Sequence, residues 1–498
     1  METSPTPNEA GADRLLEELR RLSVHDPRTV PQALIDWLDA ETGARVAWLD
    51  GHGRIVLSSP GFPPGALDPV RPVLAQLAAG RMAAAVARSG TLQVRCEAHG
   101  SGPLRPVLVV AGPVLSRSAA ALVSHAVPLL AALVAARAAE TASRGYREKA
   151  GRLRLAVFMA LMSGDPTLAR RMTVGAAPPL LDADRLRVRL LACAPADRTR
   201  LTDRYQDAAG YHGRNLLVRC PVYDDHLICL TAEGTGRSSR LAGELRRLVD
   251  DNPGYALGIS DPHPPAETAA AYEQARHALA VARGMPGRVA AYRGQAPLER
   301  FLPREPALAW ATEFLGPVSD VPKLTIDVTR LALTFSNSGV ARLLGISRNT
   351  VTAHLKRIEE ALGLSQKSVL ARATLALALS ITGPQHPTPP YPGAAGRRDA
   401  PGLDELLRTP AATAWAGAVL SDLDDPAGRD LRGTLRAWIE TDANAQRTGH
   451  RLGISRSTVA ARLRAAERLL NRDLLTTGAG VHDVVHALRI SGDLASPG

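Results

Sequence analysis

The chain is 498 residues long, too long for one ordinary hydrophobic core, so three or four domains are expected. Apolar residues make up 45% and charged residues 22%, a soluble globular composition, and with aromatics at 4% the cores must rest on Leu, Val and Ala. The net charge of +11 favours an anionic partner such as nucleic acid, but only four of the 60 basic residues are lysine, and so strong a bias to arginine reads in part as codon composition.

From the N-terminus, Met1-Glu2-Thr3-Ser4-Pro5 lacks the basic and apolar regions of a secretion signal. Residues 12–23, with Leu15, Leu16, Leu19 and Leu22, and residues 31–40, with Leu34, Ile35 and Leu38 on one face, are expected to be helices. Residues 44–57 read as strand, Asp50-Gly51 turn, strand, and further strands are expected at 91–97 and 104–111. A helix-flanked antiparallel sheet with this opening resembles a GAF-type sensor domain, which implies a small-molecule effector bound at 10–140. The uncharged run 119–136 approaches spanning length but is mostly alanine and holds Ser124, His125 and Pro128, so it reads as a buried helix, not a membrane segment. The helical stretch 116–163 is expected to kink near Pro128. Its leucines exceed what one exposed helix shows, so the segment 141–180 and its surroundings are expected to support a homodimer or higher oligomer.

A second mixed region spans 181–302. Strands are expected at 185–194, 214–222, 226–231 and 255–260, followed by a helix over 266–283 that carries Ala271-Tyr272-Glu273-Gln274-Ala275-Arg276-His277-Ala278-Leu279. This order resembles the GGDEF-like middle domain of PucR/CdaR-type regulators. In nucleotide cyclases that hairpin carries a Gly-Gly acidic turn. Here it reads Pro221-Val222-Tyr223-Asp224-Asp225-His226, without the glycines that let backbone approach a phosphate, so no catalytic residue and no enzyme activity is expected. Cys96, Cys193, Cys220 and Cys229 form no CxxC pair and read as buried free thiols in a reducing cytoplasm. The thirteen histidines show no metal-ligand spacing, and His99, His125 and His277 read as structural; no metal or cofactor is expected.

Residues 383–402 hold six prolines and four glycines and read as a linker between two helical segments, 303–382 and 403–498. Gly345-Ile346-Ser347-Arg348-Asn349-Thr350-Val351 recurs 108 positions later as Gly453-Ile454-Ser455-Arg456-Ser457-Thr458-Val459, and ten of eighteen positions agree out to Leu362 and Leu470. Each copy reads as a helix-turn-helix. Gly345 and Gly453 suit the left-handed turn position, Ser347 and Ser455 suit the N-cap, and Ala341 and Gly449 are small where the helices cross. Val351, Leu355 and Ile358, and in the second copy Val459 and Leu463, share the inward face.

The opposite faces and helix starts supply the candidate DNA-binding residues: Arg348, Asn349, Thr350, Thr352, Lys356 and Arg357 in one copy, Arg456, Ser457, Thr458, Arg462 and Arg464 in the other. Both copies resemble the C-terminal helix-turn-helix domain of PucR/CdaR-type regulators. The second is closer, because Leu431-Arg432-Gly433-Thr434-Leu435-Arg436-Ala437-Trp438 looks like that family's L-x-x-T-L-x-x-[YW] helix. Ser347 and Ser455 stand where the family often has His, which bears on the operator sequence. The expected architecture is multidomain α+β: a GAF-like α/β sensor, a GGDEF-like α/β middle domain and two all-α helix-turn-helix domains. The expected function is a cytoplasmic, sequence-specific regulator binding double-stranded operator or promoter DNA. A cyclase or phosphodiesterase and a protein-interaction scaffold are the alternatives. Treated as a flexible coil, the linker would span roughly 25 Å and tether two independent heads.

Overall fold

The computed structural model describes residues 7–22, 29–173, 179–205, 215–233, 236–383, 401–423, 429–475 and 479–494. They fall into two compact units, Met1–Glu148 and Lys149–Gly498.

In the first unit, α1 (Pro7–Leu22) and α2 (Val30–Thr42) lead into a five-stranded antiparallel sheet. Its strands are β1 (Arg45–Leu49), β2 (Ile55–Ser58), β3 (Ala84–Ser89), β4 (Leu92–Ala98) and β5 (Val107–Gly112), in the order β2-β1-β5-β4-β3, with α3 (Arg71–Ala78) before β3. Leu34, Ile35 and Leu38 of α2 are fully buried, and Gly43 at φ 61° ends that helix. Asp50 Oδ1 accepts the amides of His52 and Arg54, both at 2.9 Å, which fixes the turn between β1 and β2. One sheet face packs through Val46, Trp48 and Val110 on the helices, and the other packs through Leu49 and Val109 on α3. Strand β3 has no counterpart among the expected elements. Its Ala84-Ala85-Val86-Ala87 has little of the β-branched character of a strand, and pairing with β4 imposes its form.

Helix α4 (Arg117–Met162) runs through Pro128 without interruption. Among the described residues it is one helix long and apolar enough, by length and composition, to cross a membrane. The expectation that 119–136 is buried needs correction. Leu122, Val123, Ala126, Val127 and Leu130 face the core, but only 28% of the most apolar window is buried. One amphipathic face suffices to hold the helix on the sheet.

The second unit begins with the C-terminal part of α4, from Lys149, and α5 (Pro166–Met172). Next come β6 (Leu186–Ala192), α6 (Pro195–Tyr205), β7 (Asn215–Arg219), β8 (His226–Ala232), α7 (Gly236–Asp251), β9 (Ala256–Ile259), α8 (Thr268–Ala282) and β10 (Val289–Ala291). The sheet order is β10-β9-β6-β8-β7, with β10 parallel to β9 and the other neighbours antiparallel. Gly258 lets α8 lie directly on β9: a Cβ there would meet the Ala275 carbonyl oxygen at 2.1 Å.

Two sets of helices complete the unit. The first is α9 (Arg304–Leu315), α10 (Lys323–Thr334), α11 (Asn337–Leu344), α12 (Arg348–Leu362) and α13 (Val369–Thr382). The second is α14 (Leu403–Leu407), α15 (Pro410–Leu420), α16 (Arg429–Glu440), α17 (Ala445–Leu452), α18 (Arg456–Leu470) and α19 (Ala479–Ile490). The 383–402 linker lies largely outside the described residues. The helices flanking it are not independent heads, contrary to the expected tether. Leu315, Val369 and Leu377 on one side and Trp415, Leu463 and Val484 on the other occupy a single core. Helix α13 is the reason: Val369, Ala373, Leu375, Leu377, Ala378 and Leu379 are all buried, so it needs apolar partners on more than one face.

The helices are also locked to the sheet. Arg276 of α8 pairs with Asp473, just past α18, at 2.6 Å, with the two side chains 2% and 4% exposed. The Asp473 amide donates to His277 Nδ1 at 2.9 Å. Breaking one half of such a pair strands a buried charge, whereas replacing both halves with apolar groups does not. Arg276→Ala should therefore cost about 3–5 kcal/mol in denaturant unfolding, and the double variant Arg276→Met/Asp473→Leu should lose less than either single change. Additive losses would show that the pair is not coupled.

Candidate nucleic-acid interface

Both helix-turn-helix corners form as their sequence requires. Gly345 at φ 66° and Gly453 at φ 68° close α11 and α17 in the left-handed region. Ser347 and Ser455 cap α12 and α18, each hydroxyl accepting the amide three residues on, from Thr350 and Thr458, at 3.0 Å. At the crossing, a Cβ on Gly449 would stand 2.7 Å from the Ile454 carbonyl oxygen, so the second corner is the tighter one. Val351, Leu355 and Ile358 of α12 are buried, as are Val459 and Leu463 of α18.

The outward faces divide into exposed and engaged side chains. Arg348, Asn349, Thr352, Lys356 and Arg357 are exposed along α12, and Arg456, Ser457 and Arg464 along α18. Lys356 stands 3.5 Å from Glu360 on the next turn, a solvent-facing pair. The Thr350 and Thr458 hydroxyls lie 2.8 Å from the capping serines, and Thr352 donates to the Arg348 carbonyl at 3.0 Å. Arg462 turns elsewhere: it is half-buried and donates to Thr434 Oγ1 of α16 at 3.2 Å. Two flanking arginines are paired at the surface, Arg451 with Glu440 at 2.6 Å and Arg447 with Asp442 at 3.9 Å, both remaining exposed.

The anchoring of the first corner on the GGDEF-like sheet carried no local signal in the sequence. Arg342 of α11 donates to the Val222 carbonyl at 2.7 Å and lies 3.7 Å from Asp224. A Cβ on Gly339 would meet Val222 at 2.7 Å, so α11 sits directly on the β7–β8 hairpin turn. Arg283 holds Asp225 at 2.7 Å in the same turn, and buried His226 behind it is pushed down to about 4, by desolvation first. The turn that in cyclases faces a nucleotide here carries arginines and the first corner. The second corner is held at the far end of its recognition helix, through Asp473 on Arg276 and His277. A polar residue inside an apolar stripe, as Arg276 is between Ala275 and Leu279, was the available hint that a buried partner lay elsewhere in the chain.

A search of the curated proteins found no match. The family model for the PucR C-terminal helix-turn-helix domain matches twice, over residues 330–381 and 431–490, once on each corner. The model for the GGDEF-like domain matches residues 15–281, more than half of the chain. With its sheet, its hairpin and both corners in place, the chain belongs to the PucR/CdaR-type family of DNA-binding transcription regulators.

Proposed function

We propose that the chain is a sequence-specific regulator that reads double-stranded operator DNA with the starts of α12 and α18. The carrying observation is the sidedness of these helices. Each buries its valine and leucine stripe and leaves arginine with a short polar side chain at its N-terminal end exposed, as Arg348-Asn349 and Arg456-Ser457. In this reading those four residues and Thr352, Lys356 and Arg464 face the groove. Arg357 serves the phosphates, and Thr350 and Thr458 reach them only by leaving their capping serines. Arg462 acts through its hold on α16. The GGDEF-like domain serves as the cradle of the readers and not as a catalyst, since Asp224 and Asp225 are engaged by Arg342 and Arg283.

The same reading keeps the domain boundaries expected from the sequence, a cytoplasmic location and a small-molecule signal received by the GAF-like region 10–140. It also keeps a homodimer, on a narrower basis. Val157, Phe158 and Leu161, which contributed to the apolar excess of α4, are absorbed by the core of the second unit. What remains exposed on α4 is chiefly the alanine-rich stretch 131–149, with Tyr146 half exposed. Light scattering at micromolar concentration should give about twice the chain mass of 52.7 kDa. A mass of one chain would remove the dimer.

For DNA reading, Arg348→Ala and Arg456→Ala should each cost about 1–3 kcal/mol on the cognate site and much less on scrambled DNA. If the Lys356 ammonium reaches a phosphate at the groove edge, Lys356→Ala should weaken both alike and lower the salt slope by roughly one. Gel shifts at two salt concentrations measure this. Equal losses on cognate and scrambled DNA for both arginine variants would contradict base reading.

A further inference from the structure

The second unit holds a cavity of about 510 Å³, open to solvent on one side, between α8 of the GGDEF-like sheet, α10 and α13 of the first helical set and α19 of the second. That volume suits a small organic molecule, and Leu331, Phe335 and Leu377 give it apolar walls. Five carboxyls line it: Glu267 and Asp327, held by Arg300 and Lys323, and three more from three elements, Glu273 of α8, Glu299 of the short helix Leu298–Arg300, and Asp483 of α19. Asp483 stands 3.2 Å from Arg472. Glu273 accepts from Thr334 Oγ1 at 3.1 Å, while its neighbour Arg276 is turned to Asp473. Burial first, and then repulsion from Asp483 and Glu273, pushes the Glu299 carboxyl up to about 7, and burial likewise raises Glu273. The two arginines on the walls are engaged: Arg330 by the carbonyls of Leu379, at 2.7 Å, and Gly383, and Arg300 by Glu267 at 3.0 Å.

Two imidazoles complete the site. His486 Nε2 lies 3.1 Å from the Ala373 carbonyl oxygen. That oxygen can only accept, so Nε2 carries the proton and Nδ1 offers a bare lone pair. Nδ1 is buried without a partner, as is Nε2 of His482 one turn earlier on α19. The rings are 3% and 7% exposed, and burial holds both neutral, at about 4 and about 3. Unpartnered buried polar atoms are costly, and a ligand that donates a hydrogen bond relieves His486 Nδ1. No three of the described acids, imidazoles or thiols approach closely enough to hold one metal ion, whereas an organic molecule can span the groups.

We infer that this cavity binds a small organic cation, an ammonium or amidinium on an apolar body, with its N–H groups directed at Glu273, Glu299 and His486 Nδ1. That such a cation acts as an effector rests on the regulator reading; its binding does not, and it is measured without DNA. Calorimetric titration of the full chain with phenethylamine, 2-phenylethanol and phenylacetate separates charge from shape. The amine should bind roughly tenfold or more tightly than the neutral alcohol, and the anion should not bind. Glu299→Gln should erase most of the preference for the amine while leaving the thermal midpoint of the free chain unchanged or higher. Glu273→Gln should do the same for binding. Should position 273 fail to tolerate the change, Glu299→Gln and the charge series on the unaltered chain still decide. Equal binding of all three probes, failure of all three to bind, or an undiminished preference in Glu299→Gln would overturn the assignment.

Discussion

The buried pair of Arg276 and Asp473 ties the second unit together. It joins residues 197 positions apart at 2.6 Å, almost wholly out of water. Two charges taken from water are costly to bury, and only close pairing with further hydrogen bonds offsets that cost. Here the Asp473 amide adds a bond to His277, and the adjacent Arg472 reaches Tyr292 and the Gln295 carbonyl. One helix of the GGDEF-like sheet thus grips the end of a recognition helix with side chains that have no low-energy alternative. The domain that has lost its glycine-rich turn keeps a mechanical task.

The two duplicated corners use that support differently. The first lies on the hairpin turn through Gly339 and Arg342 and presents α12 from that seat. The second is held through Arg472 and Asp473, just past the end of α18. Because α13 buries residues on more than one face, both sets of helices also share a core. Duplication has therefore not produced two heads on a string. The readers and their cradle form one packed body, with a cavity where the cradle and both sets meet.

What could be read from the residues was whatever local chemistry decides. A glycine needed at positive φ, a serine accepting the amide three residues on and a leucine stripe at helical spacing placed both corners correctly, down to Gly345, Ser347, Gly453 and Ser455. The strand–Asp-Gly–strand opening and most strands of both sheets were legible for the same reason. Pairings that no neighbour dictates were not. The alanine-rich β3 becomes a strand because β4 offers it hydrogen bonds. Arg462 was expected among the DNA-contacting residues by its place on α18, and the structure has it donate to Thr434 of another helix. The apolar excess of α4 suggested a partner chain, and much of it is taken up within the chain itself.

If one packed body holds both readers, the distance between their binding sites on DNA is fixed by protein packing. Footprinting of the full chain on its cognate site, and on the same site with half a helical turn, about five base pairs, inserted between the two protected halves, tests this directly. A rigid pair of readers predicts that the insertion abolishes protection of one half and lowers affinity towards that of a single corner. Undiminished protection of both halves across the insertion would mean that the corners move independently, and the account built on the shared core and the Arg276–Asp473 pair would be wrong.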